Sequence, residues 1–229
     1  MKISMKVLLF AACVLYLTST SQAQQGWNFG LSGGVNLAWI SQPKTSGEAL
    51  PGDFGKRLSY NAGLFAEYGF NARLFLQLGL NIDQRGFSYK ENDANSSTDL
   101  TVKAHYFELP FLFRYAFIVK ENFHMYGMLG PSFGFLTGGR VKGTNTVNGE
   151  EGVIDNKITD SYSSSAFGIK AGLGFEIPFA DDKGATFFDV RYNYGLGDNI
   201  KQGGYYEDTN IDAAGQVLSF VVGVRGYIE

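Results

Sequence analysis

Apolar and polar residues alternate along most of the chain after Gly26. A period of two places successive side chains on opposite faces of a β-strand, so this pattern predicts strands with one apolar and one polar face. Each run has roughly ten or more residues, which is enough for a tilted strand to cross a bilayer. Eight such runs can be distinguished: Trp27–Trp39, Tyr60–Phe70, Leu74–Arg85, Tyr106–Tyr115, Phe123–Phe135, Ala166–Ile177, Phe187–Leu196 and Leu218–Ile228.

The connections between these runs alternate in length. The short ones are residues 71–73, 119–122 and 180–184, and the long ones are residues 41–57, 91–101, 139–163 and 197–215. An even number of antiparallel strands with short turns at one end and long loops at the other is typical of outer-membrane barrels. The sequence therefore predicts an all-β fold, an eight-stranded antiparallel up-and-down transmembrane β-barrel with its long loops outside the cell.

The polar face of the strands is rich in glycine. A soluble, lipocalin-like barrel would turn this face to water and its apolar face inward, whereas a membrane barrel does the reverse. A glycine costs about 0.5–1 kcal/mol in a strand, so a water-facing surface gains nothing from many of them, but a narrow lumen needs the space. The pattern favours the membrane barrel over the soluble one. The glycines concerned are Gly30, Gly34, Gly63, Gly69, Gly130, Gly134, Gly168, Gly172 and Gly174.

Ten charged residues fall on the same polar face, five acids and five bases. No charge falls in the middle of a strand on the apolar face. Buried charges are tolerated only when they are paired, so equal numbers predict a charge-paired lumen. The ten residues of this interior charge network are Glu67, Asp83, Arg85, Glu108, Arg114, Lys170, Glu176, Asp189, Arg191 and Arg225.

The run YFELPFLFRY at residues 106–115 shows both faces at once. Glu108 and Arg114 point inward but lie six residues apart, roughly 20 Å along one strand, so their partners must come from other strands. Pro110 lies between them and predicts a bulge or bend, because a proline cannot donate to the hydrogen-bond ladder. The candidate partners are Arg85 or Lys170 for the acid, and Glu67 or Asp189 for the base.

Large aromatic residues lie near the ends of the strands. Outer-membrane barrels carry girdles of such residues at both membrane interfaces. The sequence predicts two girdles here, with the alternative that these residues serve only as strand formers. The residues concerned are Trp27, Trp39, Tyr60, Tyr68, Phe70, Tyr115 and Phe123.

The first 23 residues have the pattern of a secretory signal peptide. Two lysines precede the apolar core Val7–Leu17, and small residues allow cleavage between Ala23 and Gln24. The predicted domains are therefore a signal peptide at 1–23 and a barrel domain at 24–229.

Cys13 lies in the apolar core, so the predicted mature chain has no cysteine and no disulfide. Removing two lysines leaves 17 basic and 22 acidic residues, a net charge of −5 that argues against nucleic-acid binding.

Three stretches resemble the PorT-like outer-membrane β-barrel family of Bacteroidota. They are YFELPFLFRY at 106–115, MYGMLGPSFGFLTGG at 125–139 and RYNYGLGDNI at 191–200. The resemblance covers nearly the whole predicted mature chain. It implies an eight-stranded barrel in the bacterial cell outer membrane. The name-giving members belong to the type IX protein secretion system, so the resemblance also implies a possible role in secretion.

The residues needed for catalysis are sparse. His124 and Ser132 point inward but lie about eight residues apart, beyond the reach of a base to its nucleophile. His105 faces outward and has Phe107, not a serine, two positions later. Two distant histidines and no mature cysteine do not make a zinc site. The sequence thus predicts no enzyme, no catalytic residue, no metal and no cofactor.

The function predicted from the sequence is that of a non-enzymatic outer-membrane barrel with a structural or interaction role. Its expected partners are outer-membrane lipid and lipopolysaccharide, and proteins that contact its long loops or periplasmic turns. Acidic residues of the loops could bridge to lipopolysaccharide through divalent ions, although such residues are usually just solvated. Three alternatives stay open: a component of type IX secretion, a small-solute pore, and a lipid-modifying barrel enzyme.

Overall fold

The computed structural model describes residues 26–45, 48–49, 51–157, 163–179, 183–198, 211–212 and 214–227. The predicted signal peptide, its cleavage site at Ala23 and Gln24, and Ile228 lie outside these residues. The described residues form strands, turns and bends, and no helix. No helix that is long and apolar enough to cross a membrane occurs in them.

Eight long antiparallel strands form a closed ring. Each strand pairs with the next along the chain, and β8 pairs with β1, so the ring has no free edge over the paired lengths. The prediction of an eight-stranded up-and-down barrel is confirmed. The strands are β1 Gly26–Ile40, β2 Arg57–Gly69, β3 Leu74–Asp93, β4 Ser96–Lys120, β5 Phe123–Val147, β6 Ser165–Pro178, β7 Gly184–Asp198 and β8 Ala214–Tyr227.

The two faces of the strands lie as the alternation predicts. Apolar side chains point outward and are exposed, for example Leu31 at 60% and Leu173 at 64%. Polar and charged side chains point into the lumen and are buried, for example Glu67 at 0% and Arg114 at 1%. A surface this apolar is stable in lipid and not in water, because exposed apolar area is costly only in water. The soluble barrel with an apolar lumen is excluded.

The glycines of the lumen make room for inward-facing rings. A side chain at Gly30 of β1 would overlap the Phe65 ring of β2. Similarly, a side chain at Gly174 of β6 would lie 2.7 Å from the Tyr126 ring of β5. Large rings on one strand thus fill the space left by glycines on the neighbouring strand, as close packing requires.

Strands β3, β4 and β5 continue far beyond the membrane-length part of the barrel. Residues 91–101, predicted as a loop, instead form the end of β3, a two-residue turn at Ala94 and Asn95, and the start of β4. Much of the predicted loop 139–163 is also paired, because β5 reaches Val147 and pairs with a further strand, Glu150–Lys157. The short strand Asp53–Gly55 pairs with β3 at residues 88–90. We call these five segments, beyond residue 86 of β3, the loop-end sheet.

The hydrogen-bond ladder is interrupted at Pro110 as predicted, but no bulge accompanies the interruption. Pairing between β3 and β4 skips from Leu78–Phe111 to Asn81–Glu108 without a change of register. On its other side, Pro110 pairs with Ser132 of β5. The proline ring is buried in the lumen against Gly79, where a Cβ atom would lie 2.8 Å from the ring. The proline fits because Gly79 has no side chain in the space that the ring occupies. Leu109 and Pro110 make no ladder pairs with β3.

Aromatic residues do gather at both ends of the outer face. At the turn end, the Trp27 ring lies 5.3 Å from Tyr68, which lies 5.3 Å from Phe70. At the loop end, Trp39 lies 6.2 Å from Tyr192 and carries Lys56 Nζ over its ring at 5.1 Å. These positions fit the predicted girdles.

Candidate functional site: the charged lumen

The lumen near the short turns contains a network of two acids and two arginines, completed by a histidine. We call Glu67, Arg114, His124, Glu176 and Arg225 the turn-side network. Arg114 donates to both acids, with Nη1 at 3.0 Å from Glu176 Oε2 and Nη2 at 2.9 Å from Glu67 Oε1. Arg225 Nη1 lies 2.6 Å from Glu176 Oε2 and 3.4 Å from Glu67 Oε1. Five strands are thus joined across the lumen.

Aromatic rings enclose the two arginines of this network. The Arg114 guanidinium lies 4.1 Å from the Phe75 ring centre and 4.5 Å from that of Tyr126. The Arg225 guanidinium lies between Phe65 at 5.5 Å and Phe187 at 5.6 Å. A cation over a ring face is attracted to it, more strongly when water is excluded. The rings therefore exclude water from the ion pairs while stabilising the cations.

A further ion pair, Arg191–Asp189, lies next to the turn-side network, on the side away from the short turns. Arg191 Nη2 is 2.5 Å from Asp189 Oδ2 on the same strand, and Tyr126 donates from its hydroxyl to Asp189 Oδ1 at 2.6 Å. The Tyr126 ring lies against Arg114, so it occupies the space between that arginine and Asp189. Of the two candidate partners of Arg114, Glu67 therefore contacts it and Asp189 does not; Glu176 is its second acid.

The middle of the lumen holds a third group, which we call the loop-side network: Asp83, Arg85, Glu108 and Lys170. Glu108 accepts from Arg85 Nη2 and from Lys170 Nζ, each at 2.5 Å, so both candidate bases contact it. Arg85 Nε also lies 2.7 Å from Asp83 Oδ2. Asn193 and Asn81 donate amides to Glu108 at 3.1 and 3.4 Å. The acid is thus surrounded by four donors from three strands, β3, β6 and β7.

An apolar group closes the lumen above these charges, at the loop end. We call Ile40, Phe87, Val102, Ala104 and Tyr106 the apolar cap; all five are buried. Side chains of the loop-end sheet, including Phe54 and Val141, pack against it. The lumen is therefore closed by ion pairs below and by hydrocarbon above. Such an arrangement can hold the barrel rigid, but it leaves little room for a solute.

The structure places all ten predicted charges in the lumen and each in an ion pair. Sequence reasoning placed His124 inward but missed its contact with Glu176, in which His124 Nδ1 lies 2.9 Å from Glu176 Oε1. It also missed the hydrogen bonds of the Asn36, Asn81 and Asn193 amides. It also gave no role to the inward aromatics. Their positions on the polar face of their strands could have indicated this role. An aromatic side chain that points into the lumen beside glycines packs into the space that the glycines leave.

The barrel wall between β2 and β3 is not fully paired. The ladder ends at Asn61–Asp83, although β2 begins at Arg57 and β3 continues past Phe87. Side chains bridge this gap: the Gln84 carbonyl accepts from Ser59 Oγ at 2.7 Å. Arg57 Nη2 donates to Gln84 Oε1 at 3.1 Å, while its Nη1 is buried without a hydrogen-bond partner. In this part of the wall, hydrogen bonds of side chains connect β2 and β3 in place of backbone pairing.

Among the described residues, neither imidazole ring is hydrogen-bonded to a hydroxyl; the Thr137 hydroxyl donates to the backbone carbonyl of His105 and not to its ring. His124 contacts Glu176, and His105 Nε2 lies 3.4 Å from Gln84 Nε2. Ser132 donates to Asn193 instead. Within the described ranges, no group of three histidine, cysteine or acidic side chains could hold a metal ion.

Comparison with solved structures shows the same fold. OprG of Pseudomonas aeruginosa superimposes with a TM-score of 0.51 at 16% identity, covering 92% of this chain and all of that one. The outer membrane protease OmpT of Escherichia coli superimposes with a TM-score of 0.55 at 8% identity, covering 92% of this chain and all of that one. At these identities the likeness shows the fold alone. Among curated proteins, none has a matching sequence.

The sequence itself matches a family model described as the outer membrane protein beta-barrel domain, over residues 21–201. That is well over half of the chain, and it agrees with the closed ring of strands and their apolar outer face. The chain belongs to the outer membrane protein beta-barrel domain family, and its place is the outer membrane.

Proposed function

We propose that this protein is a closed, non-enzymatic barrel that acts as a structural or interaction protein of the outer membrane. The observation that carries the proposal is the filled lumen. The turn-side and loop-side networks cross it, and the Arg191–Asp189 pair fills space between them. The apolar cap covers these charges, and the cavity beside Arg85 and Tyr106 has a volume of only about 30 Å³. A space of this size holds about one water molecule.

The loop-end sheet supports an interaction role. It extends the barrel outward by rigid strands, so it presents a defined surface beyond the membrane. Val153, on the strand Glu150–Lys157, is 82% exposed. An exposed apolar side chain on a rigid sheet is a suitable contact for a protein partner. The short periplasmic turns offer a second surface.

Conductance in planar lipid bilayers tests the closed lumen. The purified protein should give no steady current, whereas an open porin in the same bilayers gives one. Because the turn-side arginines contribute to the seal, the variant R114A/R225A should conduct more than the wild type. Large steady currents through the wild-type protein would contradict the proposal and favour the small-solute pore.

The absence of an enzymatic role is also part of the proposal. It is supported by the partners of His105 and His124, which are Gln84 and Glu176 and not a nucleophile. The lipid-modifying alternative predicts a change in the mass of lipid A when the gene is deleted. Unchanged lipid A would support a non-enzymatic barrel.

A role in type IX secretion is the second candidate. It is favoured by the three stretches that resemble the PorT-like family, above all YFELPFLFRY and RYNYGLGDNI. Export of secretion cargo by a deletion strain is the deciding measurement. Failure of export, restored by the wild-type gene, would support this role, and normal export would remove it.

A further inference from the structure

One side of the barrel has a cationic arc where its apolar outer face ends. On β3, β4 and β5 the last exposed large apolar residues of the barrel wall, below the apolar cap and the loop-end sheet, are Ile82, Phe107 and Phe135. The next outward-facing residues are Gln84, His105 and Thr137, and these are polar. The hydrocarbon boundary of the membrane therefore lies at this level, because lipid tails require apolar side chains and head groups accept polar ones.

Four lysine and arginine residues and one histidine lie at or just beyond this boundary. We call Lys56, Arg57, Lys103, His105 and Arg140 the cationic arc. Lys103 and His105 alternate with the buried Val102, Ala104 and Tyr106 of the apolar cap, so they point to the outside of the barrel. Arg140 pairs with Lys103 in the register and shares its face.

The β2–β3 gap brings the remaining two bases to the same place. Arg57 reaches the Gln84 side chain, which also contacts His105. Lys56 lies over Trp39, an outward residue between the buried Ala38 and Ile40. The arc therefore runs from β2 to β5 at one level, beside an aromatic ring of the interfacial girdle.

Much of the charge on this arc is not neutralised by the protein. Lys56 and Lys103 have no acidic partner among the described residues. Asp155 is the acidic neighbour, and its carboxylate is divided between Arg140 at 3.4 Å and Lys142 at 3.2 Å.

We infer that the cationic arc binds the phosphate-bearing head group of an outer-leaflet lipid. The arc faces the membrane laterally, directly above the side chains that contact lipid tails, so a lipid can satisfy both surfaces at once. A phosphate supplies the acceptor oxygens that Lys56 and Lys103 lack here. This site gives the lipid partner of the proposed barrel a location, and it does not depend on whether the lumen conducts.

Native mass spectrometry of the full-length protein in detergent micelles tests the inference, with diphosphorylated lipid A as the probe. The variant K56Q/K103Q should retain the lipid roughly twenty-five-fold more weakly, about fivefold for each charge removed at a membrane surface. The control R73Q/K120Q removes two exposed charges at the opposite, turn end and should bind like the wild type. Lipid A without phosphates should bind weakly to all three proteins.

Folding of each variant is checked by the difference in gel mobility between unheated and heated samples. Equal retention of lipid A by K56Q/K103Q and the wild type would overturn the inference. So would equal binding of the lipid without phosphates, or full displacement by millimolar inorganic phosphate, which would indicate a site for small anions. A change in conductance would bear on the closed lumen alone.

Discussion

Arg114 shows how a charged residue is stabilised inside a narrow barrel. Its guanidinium donates to two carboxylates and lies over two aromatic rings. Each surface of the group thus has a partner of matching chemistry. Desolvation is costly for any ion, so such complete surroundings are what makes a buried arginine tolerable.

Glu108 offers a direct test of the value of one buried acid. The substitution Glu108→Gln leaves Arg85 and Lys170 without their shared carboxylate, at nearly unchanged volume. We expect the free energy of unfolding to fall by about 3–5 kcal/mol, because Lys170 stays buried and loses its counter-charge, while Arg85 keeps only Asp83. Urea unfolding of the protein in lipid vesicles, followed by tryptophan fluorescence, measures this change.

The exposed pair Lys90–Asp99 provides the control for this substitution. Its side chains are 61% and 50% exposed, at a distance of 2.8 Å. Because water screens exposed pairs, Asp99→Asn should cost less than about 1 kcal/mol. Equal losses for the two substitutions would show that the lumen is hydrated and that the charges in it are screened.

Gly30 tests the packing of the lumen. A valine at this position would overlap the Phe65 ring and approach the Val224 carbonyl oxygen to 2.6 Å. We expect Gly30→Val to lower the free energy of unfolding by about 1–3 kcal/mol, the usual cost of overpacking. Gly138→Ala is the matched control, since nothing lies within 4 Å of the added methyl group, and it should stay within about 0.5 kcal/mol of the wild type. A tolerated valine would mean that the Phe65 ring can move aside.

At the scale of elements, β3, β4 and β5 are much longer than a membrane requires. Their outer halves form the loop-end sheet, which packs onto the apolar cap through Phe54, Tyr89 and Val141. The sheet and the cap therefore stabilise each other. This explains why polar segments such as 91–101 form strands: their backbone pairing is supported by a small core of their own.

The β2–β3 gap predicts a local difference in hydrogen exchange. Backbone amides of 57–60 and 84–87 that point across the gap have no ladder partner there. They should exchange faster than the amides of 61–69 that point to β3, because exchange requires only that side-chain hydrogen bonds open. Hydrogen–deuterium exchange with peptide-level readout measures the difference. Equal protection of the two segments would indicate that the strands pair along their full length in the membrane.

At the scale of the whole molecule, the ring of strands has no edge at which unfolding can begin. Every strand is hydrogen-bonded on both sides, and the lumen is cross-linked by ion pairs. We expect unheated protein in sodium dodecyl sulfate to stay folded and to migrate differently from boiled protein. Gel electrophoresis of unheated and boiled samples side by side measures this difference in mobility. Identical mobility before and after boiling would argue against a closed barrel.

Much of this architecture could be read from alternation alone. The period of two identified eight strands and both faces, and equal numbers of acids and bases on one face predicted ion pairs. The partners within each ion pair could not be predicted as well from the sequence. Glu67 was expected beside Arg114, but Glu176 was not, because the height of each residue depends on the stagger of strands that are not neighbours. The same stagger set the Tyr126 ring between Arg114 and Asp189.

The sequence by itself determined the environment of this protein: an apolar outer face, a polar and glycine-rich lumen, and the membrane that such a surface requires. These properties follow from the order of residues within single strands, where side chains alternate by geometry. Only the tertiary structure decided which charges meet, that the lumen is closed by a cap, and that a gap and a cationic arc lie on one side. Those features depend on register, twist and closure of the ring, which arise between strands distant in the chain.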